Sequence, residues 1–118
     1  MMLFICYPRC TTCKKAKAWL DSKSIAVEFR DIQKENPREE ELRRWHAQSG
    51  LPLKRFFNTS GLQYKALHLK DKLPTMSEDD QYKLLATDGM LVKRPLLISD
   101  DTILVGFKEK EWEEKFGL

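Results

Sequence analysis

Two cysteines stand two residues apart, Cys10 and Cys13, in the stretch YPRCTTCKKAKAWL at residues 7–20. Arg9, Lys14 and Lys15 flank them, and a third cysteine, Cys6, lies four residues upstream of the first. Such a pair can hold a metal, staple two segments or present a reactive thiol. A structural zinc ion normally takes four ligands, and beyond the pair the chain offers only Cys6 and the isolated His46 and His68. A metal role is therefore not expected. Three cysteines, none of them in the C-terminal half, also do not make the disulfide framework of a small secreted domain.

The spacing Cys6-x3-Cys10-x2-Cys13 matches the loop that holds an iron–sulfur cluster in radical-SAM enzymes. That motif needs one flexible loop around the cluster, whereas Cys6 falls at the end of an apolar strand pattern and Cys13 inside a helical one. Cys6 is accordingly read as a small buried hydrophobe. What remains is thiol chemistry. Cys10 falls at the start of a helix, where unpaired backbone N–H groups and the helix dipole favour negative charge. An unperturbed thiol, pKa about 8.5, is only a few per cent ionised at neutral pH, and helix-start Cys-x-x-Cys sites fall to roughly 3.5–7.5. Cys13, one helical turn on, is placed to resolve a mixed disulfide or sulfenic acid formed on Cys10.

The elements that must position these thiols are legible in the pattern. LFIC (residues 3–6) reads as a buried strand; from Thr11, Cys13, Ala16 and Leu20 fall three and four apart, as in an amphipathic helix ending near Asp21; IAVEFRDI (residues 25–32) alternates as a second strand. Strand, helix, strand is a βαβ unit. In ENPREEELRRWHAQSG (residues 35–50), Asn36 is expected to cap a helix with Pro37 in its first turn and Gly50 as its stop, Leu42, Trp45 and Ser49 facing inward. Two shorter helices are expected at about residues 62–69 and 77–86, the second capped by Ser77 and stopped by Gly89. After Arg94-Pro95, PLLIS and TILVG read as an antiparallel hairpin, and KEKEWEEKF as a last helix.

The expected architecture is an α/β fold of order βαβ, helical insert (about 37–89), ββα, with a mixed central sheet and a single domain over residues 1–118. The 118 residues carry 21 basic and 18 acidic side chains, a formal charge of +3, too small and too evenly spread to argue for direct nucleic-acid binding. The apolar start MMLFICY lacks the marks of a signal peptide, and no apolar run approaches the ~20 residues of a membrane helix. A cytoplasmic protein with no membrane association is expected.

Taken together, YPRCTTCKKAKAWL, FFNTSG and LVKRPLLI…LVGFKE, in this order and at these separations, resemble the arsenate reductase-like family that includes ArsC and the Spx regulators. The resemblance spans essentially the whole chain, and FFNTSG brings it closest to uncharacterised bacterial members. It implies a thioredoxin-like fold with a helical insertion, Cys10 as nucleophile, and an Arg94-Pro95 pair opposite it with Pro95 cis. Arg94 would hold an oxyanion or the thiolate through charge-assisted hydrogen bonds. Glutaredoxin-linked arsenate reductases use three arginines around the oxyanion. Here Arg94 matches one; Lys54 and Arg55 stand near the first position, and Gly106 and Phe107, followed by Lys108, near the third. Lysine lacks the planar fork that grips an oxyanion with two bonds. The small-phosphatase loop Cys-x5-Arg is absent, since Thr12, Ala16 and Trp19 occupy the sixth position after each cysteine.

Two functions follow as expectations. One is a thiol-dependent oxidoreductase acting on a small thiol or oxyanion substrate, with no bound cofactor and with glutathione or glutaredoxin as electron donor. The other is a redox-sensing regulator resembling Spx, in which Cys10–Cys13 oxidation alters a surface that binds RNA polymerase.

Overall fold

The computed structural model describes residues 2–118. Along the chain run β1 (Met2–Cys6), α1 (Thr11–Ser22), β2 (Val27–Asp31), α2 (Glu39–Ser49), α3 (Leu62–Ala66), α4 (Leu69–Lys72), α5 (Glu78–Leu85), β3 (Leu96–Ile98), β4 (Ile103–Val105) and α6 (Glu109–Phe116), with 3-10 turns at Leu53–Phe56, Leu73–Thr75 and Gly89–Leu91. The chain forms two compact units, one containing the segment up to Asp31 together with Arg94–Leu118, the other Ile32–Lys93. The first is the βαβ and ββα portion, the second the helical insert.

In the first unit the strands take the order β2-β1-β3-β4. β1 and β2 run parallel, with Phe4 opposite Phe29, as a helix-linked crossover requires. β3 lies antiparallel to β1, with Phe4 opposite Leu97, and β4 antiparallel to β3. This is the mixed sheet that the order of elements leads one to expect. The two-residue period sends Phe4, Cys6, Leu97 and Leu104 to one face, where they pack with Ala16, Leu20 and Trp19 of α1 and Trp112 of α6. Trp19 and Trp112 meet edge to face at 5.8 Å, and Phe107 stands against Trp112 at 4.9 Å. Trp112 Nε1 donates to the Gly106 carbonyl at 3.1 Å, so the buried indole is satisfied.

The insert departs from expectation at three helix boundaries. α2 starts two residues later than its punctuation suggests: Arg38 is the N-cap, and its amide donates to Glu41 Oε1 at 2.9 Å. Asn36 spends its side chain elsewhere, donating to the Ala86 carbonyl at 2.6 Å. Leu42 and Trp45 are buried, Ser49 only partly, and Gly50 ends the helix at φ +69°, a conformation glycine adopts without strain. The helix expected over about 62–69 is broken into α3 and α4 by His68, whose φ of +54° cannot continue a right-handed helix. α5 keeps to its expected range and is capped as expected, Ser77 Oγ accepting from the Asp80 amide at 3.1 Å, but Ala86 and not Gly89 ends it. Gly89 instead opens a 3-10 turn and packs against backbone: a Cβ there would run into the Ile32 carbonyl.

Candidate functional site

Cys10 is the N-cap of α1, with extended backbone (φ −80°, ψ 126°). Its amide donates to the Tyr7 carbonyl at 3.0 Å, closing the turn that leaves β1, and its own carbonyl accepts from the Lys14 amide at 3.0 Å. The side chain thus sits over the first turn of the helix, where backbone N–H groups lack carbonyl partners. Partial burial pushes the Cys10 thiol up. The Cys13 amide, hydrogen bonding and charge from Arg94, and the Thr12 amide together outweigh that effect and hold it below its ordinary value. Arg9, Lys14 and Lys15 are exposed, so Arg94 supplies the side-chain contribution.

Arg94 directly precedes β3, and its peptide bond to Pro95 is cis. Pro95 is buried, and its carbonyl accepts from the Gly106 amide at 2.8 Å, tying the loop before β3 to the end of β4. The guanidinium lies over the Tyr7 ring, 5.5 Å from its centroid, a cation–π arrangement that steadies it beside the thiol. Arg94 Nε and Nη1 are buried and have no hydrogen-bond partner among the described residues. Two donor nitrogens of the guanidinium are thereby left without an acceptor among those residues.

The cysteine pairing differs from the expected one. Cys13 is buried in the core face of α1 at disulfide distance from Cys6, the two Cα atoms 5.8 Å apart, and Cys10 is the free thiol among the described residues. Cys6 is buried, as its strand position suggests, but it is a bonding partner and not simply a small hydrophobe. The Tyr7 amide donates to Cys13 Sγ at 3.3 Å. Two residues of this site, Cys6 and Tyr7, escaped the sequence reading. The signal for Cys6 was present: it shares the inward face of β1 with Phe4, and Cys13 shares the inward face of α1 with Ala16 and Leu20.

Cys10, Cys13, Arg94 and Pro95 all belong to the first unit, whereas Lys54 and Arg55 belong to the second. Both of the latter are exposed on the 3-10 turn Leu53–Phe56, where with Lys93 they border a cavity of about 300 Å³. Gly106 is buried and Phe107 joins the aromatic cluster, so neither places charge near the thiol; Lys108 is an exposed N-cap of α6. Of the two histidines, His46 hydrogen-bonds the Tyr82 hydroxyl and meets the Phe56 ring edge to face at 5.9 Å, a structural role, and His68 forms the break between α3 and α4. Among the described residues no three His, Cys, Asp or Glu side chains group as metal ligands, and no helix is long and apolar enough to cross a membrane.

Known proteins resemble the chain over nearly its full length. The uncharacterised Bacillus subtilis protein YusI is 49% identical over 116 residues, covering 98% of each chain. The crystal structure of an ArsC family related protein from Bacteroides fragilis superposes with a TM-score of 0.93 at 55% identity, covering 96% of this chain and 95% of that one. The global transcriptional regulator Spx of Staphylococcus epidermidis is 29% identical over 112 residues, 94% of this chain and 83% of its own. The ArsC family model matches residues 6–115, from the end of β1 through α6 and across every cysteine and Arg94, so the chain belongs to the ArsC family.

Proposed function

We propose that the protein is a cytoplasmic thiol-dependent oxidoreductase in which the Cys10 thiolate attacks a small disulfide or oxyanion substrate. The observation that carries the reading is the pairing of Arg94 with the Cys10 thiol at the start of α1, which holds that thiol below its ordinary value. A thiolate is the attacking species in thiol exchange. The unpartnered Nε and Nη1 of Arg94 supply donors for charge that develops on the substrate. Glutathione or glutaredoxin serves as electron donor. Disulfides and mixed disulfides are favoured over arsenate as substrates, because among the described residues Arg94 is the arginine whose hydrogen bond and charge act on the thiol, and neutral Gly106 and Phe107 stand where a third oxyanion-binding arginine would be.

The test is site-resolved alkylation of the reduced protein against pH, read by mass spectrometry, followed by turnover of a glutathione mixed disulfide. Cys10 should react with an apparent pKa below that of a free thiol, with Cys6 and Cys13 protected, and turnover should vanish in Cys10→Ser. A Cys10 that titrates as an ordinary thiol would end the oxidoreductase reading.

The likeness to Spx over 94% of the chain favours a second reading, a redox-controlled regulator that binds RNA polymerase through a surface altered by cysteine oxidation. Capture of polymerase by one redox form of the protein and not the other, without mixed-disulfide turnover, would establish it in place of the enzyme.

A further inference from the structure

The three cysteines lie close together around the start of α1. Cys10 caps α1 and lies against the amide of Cys13 three residues on; Cys13 in turn reaches Cys6 at the end of β1. The Cys6 and Cys13 Cα atoms, 5.8 Å apart, lie within the ordinary span of a disulfide. Both cysteines are buried, and with Phe4, Pro8, Lys14 and Phe29 they border a cavity of about 380 Å³.

We infer that Cys6 is the terminal thiol of a three-cysteine relay, taking the oxidation from Cys10 by way of Cys13 and leaving a Cys6–Cys13 disulfide with Cys10 free. The inference rests on Cys10 being the attacking thiol. In the first step the Cys10 thiolate attacks a substrate disulfide, one sulfur binds Cys10, and the other leaves as a thiolate. Cys13 then loses its proton to solvent and attacks Cys10 Sγ; a Cys10–Cys13 bond forms and the second substrate thiolate leaves. Finally Cys6 loses its proton to the departed substrate thiolate or to solvent and attacks Cys13 Sγ; the Cys6–Cys13 bond forms, the Cys10–Cys13 bond breaks, and Cys10 leaves as a thiolate. Two cysteine thiols are oxidised and one substrate disulfide is reduced to two thiols.

The direction of the last step follows from leaving-group chemistry. Exchange is faster and more favourable when the departing thiolate is the more stable one, and Cys10 has Arg94 and the α1 amides to stabilise it. The Tyr7 amide, which points at Cys13 Sγ, stabilises charge on that sulfur as it passes through the thiolate. The relay returns the nucleophile to its reactive form while the oxidation is held on the buried pair, beside a cavity through which a reductant can reach it.

Trypsin makes the intermediates separable by mass, since it cuts after Arg9 and Lys14: a Cys10–Cys13 bond stays inside the peptide of residues 10–14, whereas a bond to Cys6 links that peptide to residues 1–9. Reduced protein is exposed to oxidised glutathione, quenched in acid at intervals, alkylated and digested, with fragmentation assigning the alkylated cysteine. In the wild type, glutathionyl-Cys10 and then the internal 10–14 disulfide should rise and decay as the linked peptides accumulate with Cys10 alkylated. Cys6→Ser, and independently Cys6→Ala, should stop at Cys10–Cys13. Cys10→Ser should form Cys6–Cys13 at least about tenfold more slowly, because the entry thiol is gone. Linked peptides forming as fast in Cys10→Ser as in the wild type, or a wild type that stops at Cys10–Cys13, would overturn the relay while leaving Cys10 as nucleophile. Absence of glutathionyl-Cys10 and of both disulfides in the wild type would instead overturn the oxidoreductase reading itself.

Discussion

At the scale of single residues, the chemistry turns on which cation reaches Cys10. Arg9, Lys14 and Lys15 are its neighbours in sequence but are exposed, where water screens them. Arg94, more than eighty positions away, is held over Tyr7 beside the thiol. Arg94→Ala should therefore raise the apparent pKa of Cys10 and slow its alkylation at neutral pH, and Arg94→Lys should restore part of the rate, since it returns the charge without the planar fork. The same depressed pKa links Cys10 to stability. The folded thiol binds fewer protons than the unfolded one, so its contribution is complete above the unfolded pKa and is lost as pH falls through the folded pKa. Urea melts of reduced wild type and Cys10→Ser should show a stability difference that grows in favour of the wild type as pH rises across that interval and is flat beyond it.

At the scale of elements, three of the site residues stand at junctions where one regular structure gives way to another, while Cys13 lies inside α1. Cys6 ends β1, Cys10 caps α1, and Arg94 precedes β3, so backbone groups freed at the ends of elements gather around the thiol. The helical insert relies on local devices of the same kind. Ser77→Ala removes the acceptor for the Asp80 amide and should lower stability by about 1 kcal/mol in urea melts, with the Cys10 alkylation profile unchanged. Gly50→Ala should cost a similar amount, about 1 kcal/mol, because the C-cap of α2 has a positive φ while nothing within 4 Å obstructs a Cβ. A loss of several kcal/mol there would mean that the position is packed and not merely strained.

At the scale of the whole molecule, a net charge of +3 on 118 residues leaves little long-range field to draw in a polyanion. Duplex DNA should show no mobility shift with the protein even at low salt, where counterion release most favours binding. A shift there would point to a basic surface that the balance of 21 and 18 charges conceals. If the protein instead acts on transcription, its contact must be with protein, and capture of RNA polymerase should survive nuclease treatment.

Sequence alone determined the order of elements, because that order is written in local signals: the apolar run before Tyr7, the three-and-four spacing of Cys13, Ala16 and Leu20, the alternation around Phe29, the turn between β3 and β4. It also determined that Cys10 begins a helix and that a free thiolate would be favoured there, since helix-start amides depend only on neighbouring backbone. Helix limits were less legible. Asn36 found a partner fifty residues away in place of its own helix, and His68 took a left-handed conformation that no propensity announces. The partner of Cys13 was decided only by tertiary structure. Spacing makes Cys10 and Cys6 both near in sequence, but the choice depends on how α1 lies across the sheet, which carries the inward faces of α1 and β1 into one layer and brings Cys13 to Cys6. The approach of Arg94 to Cys10 was decided in the same way, by the antiparallel pairing of β3 with β1, a contact between segments some ninety residues apart that no local pattern encodes.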